Sequence, residues 1–396
     1  MQSKPAVSIW PLMLASAGIL AVTMGARQSL GLFVAPISDR SGLDIVSISF
    51  ALAVGQFMWG LSQPFFGAVA DKKGSFGVIV LGAILLFAGL AFAPFAKSGW
   101  GLVLTLGILT AAGAGAGSFS ILIGATLRQL PLEKRAFAGG FINAGGSFGQ
   151  FIFAPVAQAL ISGFGIVVSM VSLASTALLT IPMALKLRGK PAPAAATEQE
   201  TGLWQQIKDS TKNHSYICLH LGFFTCGFHI AFLVTHLPGE VALCGHSAAV
   251  SAMSISIIGL ANIAGSLFAG HLGSRMRMKY ILTALYASRA LMIAVYLVSP
   301  KTPLTFYVFA AFLGFTWLAT VPPTAGLVGK LFGTKYLATL FGMTLLSHQI
   351  GGFLGAWLGG LFMAHDGNYL WMWYLDIALA SFAALINLPI RENSIQ

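Results

Sequence analysis

Long apolar runs, parted by short polar breaks, fill almost the whole of this chain. A helix crosses the hydrocarbon core of a bilayer with about 20 apolar residues. Read between polar breaks, the sequence offers twelve such runs: 8–37, 43–70, 76–97, 100–128, 134–161, 165–187, 215–238, 247–273, 280–299, 303–329, 336–364 and 369–390. In lipid each backbone N–H and C=O needs an internal partner, so runs of this kind are helices. One polar break, 188–214, is longer than the rest. It opens with Pro191-Ala-Pro-Ala-Ala-Ala, extended linker material, and Leu203-Trp-Gln-Gln-Ile-Lys reads as a short interfacial helix. The prediction is an all-α membrane protein of twelve transmembrane helices in two pseudo-symmetric six-helix bundles, 1–187 and 215–396, with 188–214 as a cytoplasmic linker.

Charge settles the expected orientation. Of the 22 Lys and Arg residues, 17 fall at the N-terminus, in the loops that follow even-numbered runs, or at the C-terminus. Three (Arg40, Lys97 and Lys301) fall on the other side, and Arg27 and Arg289 lie within runs. Positive residues stay on the cytoplasmic face, so both termini are expected there, in a bacterial inner membrane. Lys4 followed by some thirty mainly apolar residues is too long for a signal-peptide core and reads as a retained first span.

Composition agrees and narrows the classes. The chain is 57% hydrophobic and 8% charged, against about 25% charged in soluble domains. The net charge of +11 is spread over alternate loops and forms no basic face for nucleic acid. Cys218, Cys226 and Cys244 have neither disulfide nor metal-ligand spacing and read as small buried hydrophobes. Glycines at 113, 115, 117, 139, 140, 145, 146, 149, 351, 352 and 355 suit close helix approach. None follows a strand, so none is a nucleotide fingerprint. No phosphate loop and no cofactor motif is present, and the chain does not read as an enzyme.

The two halves echo one another. Gly25-Ala-Arg27 precedes Pro36 at the same offsets by which Gly227-Phe-His229 precedes Pro238. A cation in the bilayer interior costs roughly 2.5–3.5 kcal/mol on insertion scales and normally faces protein or a water-filled path. Arg27 and His229, at matching places in a duplicated protein, therefore point to an anion held centrally.

The loop Gly67-Ala-Val-Ala-Asp71-Lys72-Lys73-Gly74 resembles the signature loop of the major facilitator superfamily, an acid beside a helix end with basic partners. The resemblance implies the superfamily's two-bundle fold and a conformational latch of Asp71, Lys72 and Lys73. The second copy, Gly270-His-Leu-Gly-Ser274-Arg275, keeps Arg275 as a latch residue and lacks the acid. Within the superfamily, Lys134-Arg135-Ala-Phe-Ala138-Gly-Gly140-Phe-Ile-Asn-Ala144-Gly145-Gly-Ser-Phe-Gly149 is similar to the fifth-helix signature of monocarboxylate transporters, close to the oxalate–formate antiporter branch. Arg27, followed by Leu32-Phe33, stands where that family has a first-helix lysine, and Gly342 through Gly355 repeats the spacing of its eleventh helix. The resemblance implies secondary active transport of a small organic anion, a monocarboxylate, with Arg27 on the substrate carboxylate. It also departs from the family: Asn262 and Ser266 occupy the eighth-helix places of a proton- and substrate-handling Asp and Arg.

The candidate substrate-binding set is Arg27, Gln28, His229, His348, Asn143 and Trp317. His229 and His348 are the candidate coupling residues, with protons as the candidate coupling ion. For Arg27 the competing reading is an arginine bonded to carbonyls. For His229, His348 and Asn143 it is a satisfied interior polar group, and Gln56 and Gln63 read better as ties between helices. Arg289 and Asp376, on the peripheral ninth and twelfth spans, read as a structural pair that neutralises two buried charges. Pro322-Pro323 should break the tenth span. No metal or cofactor is expected; the partners are the anion, the bilayer and protons, and the protein should work as a monomer. Two other readings fit the same fold: export of a drug- or siderophore-like amphipathic molecule, and a sensor without flux. No Arg lies between Gly107 and Gly117, where proton-driven exporters carry one, and no signalling domain is appended.

Overall fold

The computed structural model describes residues 9–127, 129, 132–188, 203–273, 275–333 and 337–392, with the side chains of 71, 72, 127, 132–137, 203, 337 and 338 outside that description. Ten helical segments are long and apolar enough to cross a membrane. One of them, 138–187, turns back at Gly165, whose φ of +75° lies in the left-handed region open to glycine. That segment is two spans. Leu337–Asp366 adds a further 30-residue helix, which brings the spans to the twelve expected.

The spans run Trp10–Ser41, Ile45–Lys73, Ser75–Phe95, Gly99–Leu127, then 132–164 and 166–187 on either side of Gly165, His214–Leu243, Ala248–Gly273, Met278–Val298, Pro303–Phe332, Leu337–Asp366 and Leu370–Asn387. The helix Leu203–Ser210 stands between the halves, where a short interfacial helix is expected. Starts are capped as the sequence suggests. The Asp44 carboxylate accepts from the Ser47 N–H at 2.7 Å, and Thr302, with Pro303 behind it, accepts from Thr305 at 3.2 Å. The tenth span breaks where expected: its α-helix stops at Trp317, one 3₁₀ turn covers Leu318–Thr320, and helix resumes at Val321. Pro322 and Pro323 donate no N–H, so the carbonyls four residues earlier lose their partners.

The duplication is visible in the packing. In the first half, a Cβ on Gly145 would meet the Ala17 carbonyl oxygen at 2.6 Å, and one on Gly149 would meet that of Ala21 at 2.0 Å. In the second, Gly351 and Gly355 stand in the same way on the Phe224 and Phe228 carbonyls, at 2.0 and 2.1 Å. Fifth span on first and eleventh on seventh thus pack backbone to backbone, as small residues permit.

The two halves are joined at one end. A large apolar cluster draws on both, from Leu30, Phe33 and Leu52 to Phe228, Leu233 and Val234. Toward the end that carries the termini the clusters are private. Leu12, Ile19, Val78, Leu122 and Leu187 belong to the first half, and Ala269, Ile281, Leu285 and Ala319 to the second. The cross-half contacts run from the far end to mid-depth: Gly31 against the Val234 carbonyl, Gly360 against Ser49, Ser256 Oγ donating to the Phe151 carbonyl at 2.7 Å, and, midway along their helices, Gly60 against Gln349. Among the described residues the bundles are sealed at the far end and part toward the termini.

Candidate functional site

Arg27 ends the first α-helical stretch of its span, just before a 3₁₀ turn over Leu30–Phe33. It is buried, and its guanidinium lies 4.3 Å from the centroid of the Trp59 ring. One of its terminal nitrogens donates to Gln56 Oε1. Both partners come from the second span, one helical turn apart. Its other nitrogens make no hydrogen bond within the described residues, and Arg27 borders a cavity lined also by Leu30, Gly31, Leu52, Gly55, Gln56, Leu106, Thr110, Ala111, Val234 and Thr235. Arg27 is the only charged group in that lining. The lining is otherwise aliphatic, with Gln56, Thr110 and Thr235 as neutral polar side chains. The cavity measures about 20 Å3, enough for a water and too small for an organic acid.

The fourth span contributes through a feature that hydropathy does not report. Val103–Thr110 is π-helical, and the Thr110 hydroxyl donates to the Thr105 carbonyl, five residues back, at 2.9 Å. Wide turns of this sort are frequent at functional sites. Here the wide turn ends at Thr110 and Ala111, both on the cavity wall. Gly89 permits it, since an added Cβ would meet Thr110 at 2.3 Å.

The other expected residues are placed differently. Gln28 is buried beside Arg27 but does not line the cavity. Asn143 is half-buried in the fifth span and makes no hydrogen bond among the described residues. His348 is half-buried, with its ring 4.9 Å from Phe223 and 3.3 Å from the Gln349 amide nitrogen. It lies within Coulombic reach of both Arg27 and Arg289. Trp317 is 2% exposed and packs in the shared apolar cluster, so it is a core residue at the break of the tenth span, away from the cavity wall.

Two expectations need correction. His229 is 1% exposed, and its Nδ1 is hydrogen-bonded to Asp376 Oδ2. It faces the interior of the second bundle, because its span presents Val234 and Thr235 to the cavity instead. The Arg289–Asp376 pair does not form either. Asp376 is taken by His229, and Arg289 donates to the Thr316 carbonyl at 2.9 Å, an acceptor left over by the broken tenth span. Asn262 serves the same break from the eighth span, accepting from the Leu318 N–H at 3.2 Å. Of the neutral ties, Gln63 accepts from Ser120 at 3.1 Å, whereas Gln56 is the partner of Arg27. Of the latch residues, Lys73 and Arg275 are exposed at the terminal end; the side chains of Asp71 and Lys72, like those of Lys134 and Arg135, lie outside the described residues. No group of His, Cys, Asp and Glu among the described residues is arranged to hold a metal ion.

Comparison with known proteins agrees with this architecture. Residues 16–356 match the model of the Major Facilitator Superfamily. The chain is 25% identical to monocarboxylate transporter 13 of Rattus norvegicus, over 96% of this chain and 89% of that one. It is 23% identical to the oxalate:formate antiporter of Oxalobacter formigenes, over 92% and 87%. The crystal structure of a D-xylose-proton symporter superposes with a TM-score of 0.76 at 15% identity, covering 97% of this chain and 98% of the other.

Proposed function

The chain belongs to the Major Facilitator Superfamily, and from that membership we propose that it carries a small monocarboxylate across the membrane by alternating access, with Arg27 as the anion ligand. It is a multi-pass membrane transporter and not an enzyme. The observation that supports the substrate class is the buried guanidinium of Arg27, with free donors on a cavity that is otherwise neutral and aliphatic. A single cation suits one carboxylate, and the aliphatic wall suits an apolar remainder. A dicarboxylate would leave its second charge against Leu52, Leu106 and Val234. A bidentate pair between guanidinium and carboxylate is among the stronger hydrogen-bonded contacts available. In the present conformation Gln56 Oε1 holds one of the donors such a carboxylate needs, so the amide acts as its placeholder. The transporter names among the relatives, one for monocarboxylates and one for oxalate and formate, favour small carboxylates as the broader class.

The moving bodies are 1–187 and 215–396, rocking about the cavity. The basic residues at the terminal end support a cytoplasmic placement, which makes the conformation described here inward-facing. Asp71, Lys72, Lys73 and Arg275 would latch that end when it closes. A thermal-shift screen of monocarboxylates and dicarboxylates on the purified protein tests the assignment. Monocarboxylates should raise the melting temperature of the wild type and leave Arg27→Ala unmoved. Arg27→Lys keeps the charge but not the planar fork, and should bind about tenfold more weakly or worse. Equal stabilisation of wild type and Arg27→Ala would sink the assignment.

A further inference from the structure

Among the described residues, a costly polar arrangement lies outside the cavity. His229 of the seventh span, Arg289 of the ninth and Asp376 of the twelfth are all at most 1% exposed. Four of their atoms have no hydrogen-bond partner: His229 Nε2, Asp376 Oδ1, and Arg289 Nε and Nη1. Each buried polar group left unpaired costs about 1–3 kcal/mol. A purely structural tie would spend those donors on that acceptor, as an arginine fork on a carboxylate does. Here the carboxylate binds the imidazole, and the arginine holds a backbone carbonyl of the tenth span, Thr316, at the start of its 3₁₀ turn.

We propose that His229 and Asp376 form a buried proton-binding site, and that Arg289 transmits its occupancy to the bend in the tenth span. With the proton bound, the imidazolium pairs with the Asp376 carboxylate, Arg289 stays on Thr316, and the three groups sum to one positive charge. When the proton leaves, the sum is zero. Neutral His229 then holds the carboxylate less strongly, and the free Asp376 Oδ1 draws on the free donors of Arg289. That exchange releases the Thr316 carbonyl, and with it the turn at Leu318–Thr320. The arrangement has two discrete pairings, which is what a switch requires.

The surroundings contain few other charges. His229 faces Asp376 from the twelfth span and Arg289 from the ninth; Arg289 in turn interacts with Tyr286, itself bonded to Cys226, and with His348 from the eleventh. The tenth span presents Thr316 and Thr320, and the eighth presents Asn262; none of these titrates. Arg27 of the first span acts electrostatically on His348, as Arg289 does. An anion on Arg27 would offset one of the two positive charges that His348 shares with the cluster and so favour a proton there. This coupling step rests on the carboxylate reading of Arg27; the proton site itself does not.

Two measurements keep the two apart. The first uses 15N-histidine solid-state NMR on the full chain in lipid, with the His229 signal identified by its loss in His229→Gln. Between about pH 5 and 8 it should pass from imidazolium to neutral imidazole, and Asp376→Asn should displace that transition. A His229 that keeps one protonation state, or titrates identically in Asp376→Asn, overturns the proton site whatever the substrate. The second uses proteoliposomes. Asp376→Asn should lose accumulation driven by a pH gradient and keep carboxylate exchange at equal pH, whereas Arg27→Ala loses both. Accumulation intact in Asp376→Asn, or exchange lost along with it in a folded protein, overturns the coupling. Should Asp376→Asn fail to fold, His229→Gln removes the titrating ring, keeps a donor, and is read by the same two assays of transport.

Discussion

Leaving a buried guanidinium short of an acceptor costs about 1–3 kcal/mol, and this sets the expected effect of Gln56→Leu. If Gln56 holds the place of a carboxylate, the empty variant should melt below the wild type while a bound monocarboxylate raises its melting point by more than in the wild type. A smaller ligand-induced rise would make Gln56 a ligand in its own right. Arg27 was legible as a residue, because a lone cation in an apolar run has few uses. Its partners were not, since nothing in the sequence brings Gln56 and Trp59 across from the second span. Asp376 shows the same limit. The sequence offers it two buried bases, His229 and Arg289, and hydropathy is blind to which of them the twelfth span turns it toward. The echo between Arg27 and His229 is real in sequence position, yet one residue borders the cavity and the other the core of its own bundle.

At the scale of elements, all twelve helices are where the apolar runs place them, and so is the break before Pro322. The π-helical Val103–Thr110 is not readable, because a wide turn changes hydrogen-bond register without changing hydrophobicity. A further element-level tie joins the C-terminal segment to two spans. The Glu392 carboxylate accepts from the Met278 and Lys279 N–H groups at the start of the ninth span, at 3.1 and 3.2 Å. It also accepts from Lys330 Nζ at the end of the tenth, at 2.7 Å. Burial pushes this carboxyl up, but the Lys330 bond and the two N–H donors outweigh it and hold it below the usual carboxylate range. A depressed acid contributes stability above its unfolded value, about 4.3 for Glu, and loses it as pH falls through the folded value. Melting temperatures should therefore drop more steeply below about pH 4.3 in the wild type than in Glu392→Gln. Parallel curves would show that the tie contributes nothing to acid stability.

For the whole molecule, alternating access requires the far-end seam to open, and that seam includes Gly31 seated directly on backbone. A Cβ on Gly31 would meet the Val234 carbonyl oxygen at 2.0 Å. Gly31→Leu should therefore hold the far end apart and stop transport without unfolding either bundle. A cysteine at Leu52 reports this in a background lacking Cys218, Cys226 and Cys244. An impermeant thiol reagent applied from the far side should label it faster with Gly31→Leu than without, and equal rates would refute the role given to the seam. The sequence foretold two related halves and glycines suited to close helix approach. It did not foretell which end is closed, because close helix approach serves either end equally.

The uneven sharing of the core also bears on how the protein is made. The first half has an apolar cluster of its own at the terminal end, complete once residue 187 has been synthesised. The cluster at the far end needs side chains that emerge only with the seventh span and beyond. Early helices can therefore settle against one another at the terminal end while their opposite ends wait in lipid for partners. Domains made first tend to fold first. By that order, the seam that transport opens can close only after the second half has been made.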